Sequence, residues 1–423
     1  MMIIMDDMNS RLKDFHKKSL EERVELIKEN SDVGDAIEDL VGKGLTNDKA
    51  DQMIENVIGT YELPVGIATN FKINDKDYLI PMVIEESSVV AAASYGAKLA
   101  RKSGGFHAKT TEPVMISQVQ VTGLSDAHAA KMKVLEKKEE LMDLADEQDP
   151  VLVEHGGGVK DIRCRILNSS FGKYLIVHLL VDCRDAMGAN AVNTMAEALA
   201  PKIEKITGGT VYLRILSNLA DQRLARARAV WGKEDIGKDT VEGVIQAYEF
   251  ARVDPYRCAT HNKGVMNGVT AVVSATGNDT RAVESGAHSY AASGGGYSPL
   301  TTWEKTENGD LAGSIEIPVP VGTVGGATSS HPGAQANMEI LGVKSASELG
   351  EVLAAVGLSQ NFAALRALAS EGIQKGHMKL HAKNVAVQAG AEEEMVDEVA
   401  KRMIEEDKIR VDRAKEIVEE LGG

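Results

Sequence analysis

The stretch that decides the fold is Asp161-Ile-Arg-Cys-Arg-Ile-Leu-Asn-Ser-Ser-Phe-Gly-Lys-Tyr-Leu-Ile-Val-His-Leu-Leu-Val-Asp182. It predicts two strands, residues 161–167 and 174–181, around a turn that ends at Gly172. An alternating strand and an amphipathic helix precede it at 114–122 and 127–145, and a helix and a strand follow it at 190–206 and 210–216. The order β-α-β-β-α-β is that of the split βαβ, or ferredoxin-like, arrangement. We expect this unit to be an insert.

The sequence on either side of this unit has a different character. Ser19 followed by Glu22 opens a helical pattern, as in a capping box. Residues 218–375 are rich in glycine, and residues 376–423 contain two charged helical patterns after a hinge at Gly390. The prediction is an α+β protein with four segments: a large, mostly helical domain at 1–111 and 218–375, the inserted domain at 112–217, and a mobile helical flap at 376–423.

The composition narrows the class of protein. The 423 residues carry a formal charge of −16, with 43% hydrophobic and 26% charged residues, as in a soluble globular chain. We expect no apolar run long enough to span a bilayer, the N-terminus lacks a secretory pattern, and the three cysteines are scattered. We therefore expect a cytoplasmic protein that binds neither nucleic acid nor membranes.

Several short motifs are candidates for chemistry. Glu85-Glu86 ends an apolar run and precedes a helix, which suits a general acid, although a charge at a helix N-terminus is the simpler interpretation. Lys263, in His261-Asn-Lys-Gly264, suits an oxyanion or a Schiff base, and a surface loop is the alternative. Asp279 lies in an Asn-Asp pair that also fits a turn.

Two further motifs concern ligands. His377 and His381 have the spacing of one helical face, but without a third ligand a proton-donating histidine is favoured over zinc. Asp185-Ala-Met-Gly188-Ala-Asn190 opens a helix whose N-terminus suits a phosphate, and a plain N-cap by Asp185 is the alternative. The G-x-G-x-x-G pattern of Rossmann sites is absent.

Together these motifs resemble the class II 3-hydroxy-3-methylglutaryl-coenzyme A (HMG-CoA) reductases over nearly the whole chain. The resemblance rests on segments in family order: Glu55-Asn-Val-Ile-Gly-Thr60, Glu85-Glu-Ser-Ser-Val-Val-Ala-Ala-Ala-Ser-Tyr95, Asp185-Ala-Met-Gly-Ala-Asn190, Leu216-Ser-Asn-Leu-Ala-Asp221, Val253-Asp-Pro-Tyr-Arg257, His261-Asn-Lys-Gly264, Thr276-Gly-Asn-Asp279, Ser298-Pro-Leu-Thr-Thr-Trp-Glu304 and Leu380-His-Ala-Lys-Asn384.

The resemblance implies a reaction and its residues. HMG-CoA and mevalonate plus CoA are interconverted through mevaldehyde by two hydride transfers, in an obligate homodimer with interfacial active sites and without a metal. The implied roles are the oxyanion cation for Lys263, its charged neighbour for Asp279, the proton donor to the alkoxide for Glu86 and the proton donor to the CoA thiolate for His381.

The resemblance also implies binding residues. The HMG group is assigned to Ser88, Arg257 and Asn267, and the nicotinamide nucleotide to Asp185, Met187, Gly188, Asn190 and Asn218. Close relatives carry an arginine for a CoA phosphate where this chain has His16-Lys17. Asp149 falls where members that use NADH place an acid against the adenosine ribose. A carboxylate there repels the 2′-phosphate of NADPH, so NAD(H) is expected over NADP(H).

Two other functions remain open at this point. An acyltransferase that uses Cys258 as its nucleophile is one, because thiols attack thioesters. The other is a non-catalytic sensor of a CoA ester or a nucleotide. Such a sensor does not need Glu86, Lys263, Asp279 and His381 together.

Overall fold

The computed structural model describes residues 8–370 and 373–422. The strands are β1 (Val65–Ile73), β2 (Lys76–Val83), β3 (Phe106–Thr110), β4 (Val114–Thr122), β5 (Gly158–Ser169), β6 (Gly172–Asp182), β7 (Thr210–Ser217), β8 (Leu224–Trp231), β9 (Thr301–Lys305) and β10 (Leu311–Pro318). They form two sheets, in the orders β2-β1-β3-β8-β10-β9 and β5-β6-β4-β7.

The helices account for most of the remaining chain. They are α1 (Leu20–Asn30), α2 (Asn47–Met53), α3 (Val89–Ala100), α4 (Ala127–Glu136), α5 (Lys138–Asp146), α6 (Pro150–Glu154), α7 (Ala189–Thr207), α8 (Lys233–Ile236), α9 (Lys238–Val253), α10 (Pro255–Ala275), α11 (Thr280–Ala292), α12 (Gly326–Ser330), α13 (Pro332–Leu341), α14 (Ala346–Ser370), α15 (Ile373–Gln388), α16 (Val396–Glu405) and α17 (Val411–Gly422).

The four-stranded sheet has the predicted ferredoxin-like topology. All its neighbouring strands are antiparallel, and helices α4, α5 and α7 pack on one face over a common apolar core. The predicted helix at 127–145 is broken, because the chain leaves α4 at Lys137 and starts α5 at the next residue. The rest of the predicted order is confirmed.

The unit is inserted between two strands that are neighbours in the larger sheet. Strand β3 leads into it and β8 follows it, and these two strands pair in antiparallel register from Phe106 with Ala229 to Thr110 with Ala225. Because the insert begins and ends at two neighbouring strands, it does not interrupt the strand pairing of the large sheet.

The large core surrounds helix α14. This helix packs against α3, α9 and α10 and against the six-stranded sheet, and Phe362 stacks on Trp231 with 4.4 Å between ring centroids. The packing is close: a side chain at Gly96 of α3 would lie 2.5 Å from Ser359 Oγ. The six-stranded sheet was not predicted from the sequence, since the large domain was expected to be mostly helical.

Helix α14 also corrects one expectation. By length and composition its segment Ala346–Ala369 is apolar enough to cross a membrane, so the view that no such run exists is wrong. However, 67% of the window is buried inside the protein. Its apolar character is explained by its position at the centre of a core.

The C-terminal helices form a small bundle. Helices α15, α16 and α17 pack on one another and share an apolar core that includes Ala382, Val399 and Ile417. The two charged helical patterns expected within residues 376–423 correspond to α16 and α17. At the other end of the chain, Ser19 and Glu22 make the predicted capping box of α1.

Candidate active site

Two of the expected catalytic residues form an ion pair. Lys263 Nζ lies on α10, and it is 2.7 Å from Glu86 Oε2, in the turn between β2 and α3. The side chains are 59% and 37% exposed, so a ligand can reach both. A surface pair of this kind contributes little to stability, so its place at a strand end is better explained by chemistry than by folding.

Ser88, two residues after Glu86, combines strain with an unsatisfied hydroxyl. Its φ of 76° is in the left-handed region, which is costly for a residue with a Cβ. Its Oγ is buried and has no hydrogen-bond partner among residues 8–370 and 373–422. Buried hydroxyls are nearly always paired, so this atom is a natural contact for a ligand.

Helix α10 presents two further polar groups expected to bind the substrate. Asn267 follows Lys263 by one helical turn and therefore lies on the same face. Arg257, near the helix start, is half-buried, and burial lowers the pKa of its guanidinium. Within the described part of the chain no carboxylate pairs with Arg257, which leaves its planar fork available for an acidic ligand.

A buried network that the sequence did not reveal anchors this helix. His261 Nε2 is 2.7 Å from Thr301 Oγ1, which donates to Asn361 Oδ1 at 2.9 Å, and Asn262 Nδ2 donates to the Ser298 carbonyl at 3.0 Å. Burial lowers the pKa of His261 to about 3, so its ring is neutral. The loop alternative for this motif is wrong, since the motif lies within α10.

Asp279 makes no hydrogen bond or ion pair with Lys263 or Glu86 in the described part of the chain. It is the N-cap of α11, where its carboxylate accepts the backbone N–H groups of Arg281 and Ala282 and pairs with the Arg281 side chain at 3.1 Å. Burial raises the pKa of Asp279, but the hydrogen bonds, led by that from Arg281, lower it overall.

The length of α10 explains this separation. Lys263 lies in its first half, and Asp279 follows its C-terminal end, where Asn278 N–H bonds to the Val273 carbonyl. Ten helical residues from 263 to 273 span about 15 Å, more than two side chains can bridge. The expectation that Asp279 keeps Lys263 charged is therefore not met within one chain.

His381 lies on α15 of the C-terminal bundle, and its side chain is exposed. The helix starts at Ile373, three residues before the expected boundary. His377 is on the same helix, but its side chain is outside the described residues. Among the described residues no group of three or more potential metal ligands occurs.

The expected nucleotide residues surround the start of α7. Gly188 is the N-cap, with a φ of 97°, and a side chain at this position would collide with the sulfur of Cys183. Met187 and Asn190 flank it. A 19-residue helix with a glycine at its N-terminus offers unpaired N–H groups and the room that a nucleotide phosphate requires. The residues at the start of α7 therefore fit the phosphates of a nicotinamide nucleotide.

Asp185 has a different structural role from the one weighed in the sequence. It is not the N-cap of α7, so that alternative is wrong. Its Oδ1 instead accepts the backbone N–H of Ala346 at 2.8 Å, which ties residues 183–188 to the start of α14. These residues, between β6 and α7, are called the nucleotide loop after their expected role. Asn218, just after β7, lies against α11, because its carbonyl would be 2.6 Å from a Cβ at Gly286.

Among the remaining expected residues, Asp149 is half-buried, and His16 and Lys17 are exposed. Asp149 is the N-cap of α6, and its Oδ1 accepts the Leu152 N–H at 3.0 Å. His16 and Lys17 belong to one 3-10 turn, Phe15–Lys17, where Lys17 pairs with Asp14 at 3.0 Å.

Comparisons with known proteins agree with this arrangement. Residues 19–382 match the family described as hydroxymethylglutaryl-coenzyme A reductase. A 3-hydroxy-3-methylglutaryl-coenzyme A reductase from Archaeoglobus fulgidus is 58% identical over 98% of this chain and 95% of its own length.

Two solved structures from Streptococcus pneumoniae are also similar, each at 39% identity. One 3-hydroxy-3-methylglutaryl-coenzyme A reductase covers 97% of this chain and 99% of its own, with a TM-score of 0.83. The other, a class II reductase bound to NADPH in open conformations, covers 96% and 100%, with a TM-score of 0.81.

The fold and these matches define an oxidoreductase that uses a nicotinamide nucleotide. The chain belongs to the HMG-CoA reductase family, whose members are enzymes of the mevalonate pathway. The acyltransferase and sensor alternatives are not favoured. Cys258 in particular is fully buried, and burial raises the pKa of its thiol, the opposite of what a nucleophile requires.

Proposed function

We propose that this chain interconverts HMG-CoA and mevalonate plus CoA, with Glu86, Lys263, Asp279 and His381 as its catalytic residues. The observation that carries the proposal is the Lys263–Glu86 pair at 2.7 Å, next to the strained and unsatisfied Ser88. A cation, a proton donor and an unpaired hydroxyl are thus present where a thioester carbonyl can be held.

The residues proposed to bind the substrate are those whose polar groups are available to a ligand. Arg257 would bind the HMG carboxylate, and Ser88 and Asn267 would bind its oxygens from the two sides of the site. His16 and Lys17 would contact a CoA phosphate, where Lys17 acts as a point charge. HMG-CoA, mevalonate and CoA are therefore the proposed ligands of the large domain, residues 1–111 and 218–375.

The inserted domain, residues 112–217, would hold the nucleotide. Met187, Gly188 and Asn190 would contact its phosphates at the start of α7, while Asp185 and Asn218 fix the loop and its neighbour α11. Two molecules of reduced nicotinamide nucleotide, bound in succession, would each supply one of the two hydrides of the reaction.

The protein side chains stabilise the negative charge that develops on the substrate and donate the protons. When a hydride adds to the thioester, negative charge develops on the carbonyl oxygen, and the Lys263 ammonium stabilises it. Collapse to mevaldehyde breaks the C–S bond, and His381 protonates the departing thiolate. After the second hydride, Glu86 donates a proton to the alkoxide. HMG-CoA thus consumes two hydrides and two protons, and it yields mevalonate and CoA.

The position of Asp279 supports an obligate dimer. One chain does not bring Asp279 to Lys263, so we propose that a second copy supplies it at an interfacial active site. An exposed apolar segment is available for this contact: Ile58 is fully exposed, and Tyr61 is 90% exposed. The flap at 376–423 would close over each site and bring His381 to the substrate.

NADH is the proposed preferred nucleotide, although the Streptococcus pneumoniae relative binds NADPH. The half-buried Asp149 would accept a hydrogen bond from the ribose 2′-hydroxyl and repel a 2′-phosphate. Arg184 is an unsuitable counter-charge, because it bonds to the Gly156 carbonyl and pairs with Asp182 at 3.5 Å.

The proposed location is the cytoplasm. Cys164, Cys183 and Cys258 are all free thiols, as is usual in a reducing compartment.

The test is the HMG-CoA-dependent loss of reduced-nicotinamide absorbance, with each nucleotide in turn. We expect oxidation in the wild type and in Cys258→Ala. Nucleotide binding without oxidation would indicate a sensor, and CoA release that requires Cys258 but no nucleotide would indicate an acyltransferase.

A further inference from the structure

A short segment, residues 319–324, lies between the nucleotide loop and the turn that carries Asp279. It follows β10 and contacts the loop through its backbone. Thr323 N–H donates to the Asp185 carbonyl at 2.8 Å, and Val324 forms a parallel bridge with Ala186. At Gly322 the approach is so close that a Cβ would lie 2.6 Å from the Met187 nitrogen.

The other side of this segment is held by Asn278, the neighbour of Asp279. Its Nδ2 donates to the Gly322 carbonyl at 3.1 Å, and its Oδ1 accepts the Gly322 N–H at 2.8 Å. One amide therefore satisfies both backbone groups of one residue. Because Asn278 and Asp279 are adjacent, the segment is linked to the residue that carries the carboxylate.

Arg223 holds the segment and the nucleotide loop together. It is only 4% exposed, and its guanidinium donates to the carbonyls of Ala186 at 3.0 Å, Met187 at 3.2 Å and Val321 at 2.6 Å. Its own carbonyl accepts the Val319 N–H at 3.0 Å. Among the residues that the structure describes, no carboxylate forms an ion pair with it.

The charge of Arg223 is stable, and the loop it holds is strained. Burial lowers its pKa to about 10, which still leaves the group charged at neutral pH. Its Nη2 lies 3.4 Å from the carbonyl of Arg184, a residue with a left-handed φ of 52°. Strained backbone persists only where its surroundings hold it, so this buried cation is suited to maintaining the loop shape.

We infer that Asn278 and Arg223 are positioning residues, which act through residues 319–324 to fix the nucleotide loop relative to Asp279. This inference rests on the proposed nucleotide role of the loop. Neither residue contacts Ser88, Arg257 or Asn267 in the hydrogen bonds described above. Their loss should therefore weaken nucleotide binding and turnover while leaving the affinity for HMG-CoA nearly unchanged.

Asn278→Ala tests the inference. We expect the dissociation constant of reduced nucleotide, measured by its fluorescence without HMG-CoA, to rise roughly tenfold, the effect of about one hydrogen bond. The KM of HMG-CoA should stay within roughly twofold, and kcat should fall. The control is Asn337→Ala, because Asn337 is a buried asparagine that bonds to the Ala275 carbonyl at 2.9 Å and makes no hydrogen bond to the segment.

Arg223→Lys provides a second, milder test, since lysine keeps the charge but donates hydrogen bonds to fewer carbonyls. We expect the same selective loss, and the double variant should lose less than the product of the single effects, because both loosen one segment. An unchanged nucleotide dissociation constant in both variants, or the same loss in Asn337→Ala, would overturn the inference. A wild type that binds nucleotide but does not oxidise it would instead count against the proposed function.

Discussion

Lys263 and Glu86 lie 177 positions apart in the sequence, yet their side chains meet at 2.7 Å. The pair joins helix α10 to the turn after β2, and both elements are anchored in the large core. A cation held in this way needs little rearrangement when charge develops on a substrate oxygen, which is the basis of electrostatic catalysis.

Lys263→Ala should abolish most of the reduction. Removing one such electrostatic contact typically costs roughly 10²–10³ in rate, and we expect at least that loss in kcat, with folding and nucleotide binding retained. The measurement is HMG-CoA-dependent nucleotide oxidation. The control is Lys305→Ala, which removes a surface ion pair with Glu242 and should leave kcat unchanged. Near-wild-type turnover of Lys263→Ala would remove Lys263 from the mechanism.

Mixing two inactive variants tests whether Asp279 acts across a dimer. If Lys263→Ala and Asp279→Asn subunits are refolded together, a mixed dimer holds one doubly altered site and one intact site. Half of the dimers are mixed at equal amounts, so activity should return to about a quarter of the wild type. No recovery, with mixed dimers shown by a tag on one subunit, would mean that each chain uses its own Asp279.

His381→Gln should impair one half-reaction more than the other. Only the thioester step releases a thiolate, so reduction of HMG-CoA should fall more than reduction of free mevaldehyde. The matched control is Lys383→Gln, which removes a 2.5 Å pair with Asp397 in the same bundle. Equal losses on both substrates would contradict the proton-donor role.

Asp149→Ala should reduce the ratio of kcat/KM with NADH to kcat/KM with NADPH. The wild type should have a higher kcat/KM with NADH, because two like charges about 4 Å apart cost up to about 4 kcal/mol at an effective dielectric of about 20 before screening. Glu147→Ala, which removes an exposed acid two residues away, should change the ratio little. A wild type that prefers NADPH would show that Asp149 does not reach the ribose.

Cys258→Ala should leave turnover within roughly twofold of the wild type, because the thiol is buried and serves no proposed step. Burial also raises the pKa of Cys258, so its thiolate fraction at pH 8 should be below that of an ordinary cysteine. Alkylation of the native protein should accordingly be slow and should accelerate on unfolding. A large loss of reduction in Cys258→Ala would bring thiol chemistry back into consideration.

The inserted unit was predictable because its signals are local. Strand β4 covers the predicted 114–122, and β7 and α7 lie within one residue of their predicted ends. Period-2 and period-3.6 patterns need only neighbouring residues, and the glycines at 208 and 209 end α7 in the sequence itself. The Ser19 capping box is predictable for the same reason.

The six-stranded sheet and parts of the site depend on distant residues. Strand β8 pairs with β3 and β10, but its sequence Leu-Ala-Arg-Ala-Arg-Ala-Val-Trp has mostly alanine on its buried face, a weak strand signal. The sequence around Arg223 contains no recognisable motif, because the partners of its side chain are backbone carbonyls from two distant segments. A local cap was the only structural alternative that the sequence offered for Asp185, because the actual partner of its carboxylate, Ala346, is 161 positions away.

The position of α14 has a consequence for the order in which the chain folds. The inserted unit is continuous, and all its strands have been synthesised by Ser217. The large core cannot close until α14, which begins at Ala346, has left the ribosome, because α3, α9, α10 and the sheet all pack around it. During synthesis these elements therefore expose the apolar cleft that α14 will fill, and the nascent chain is most prone to aggregation until α14 has emerged.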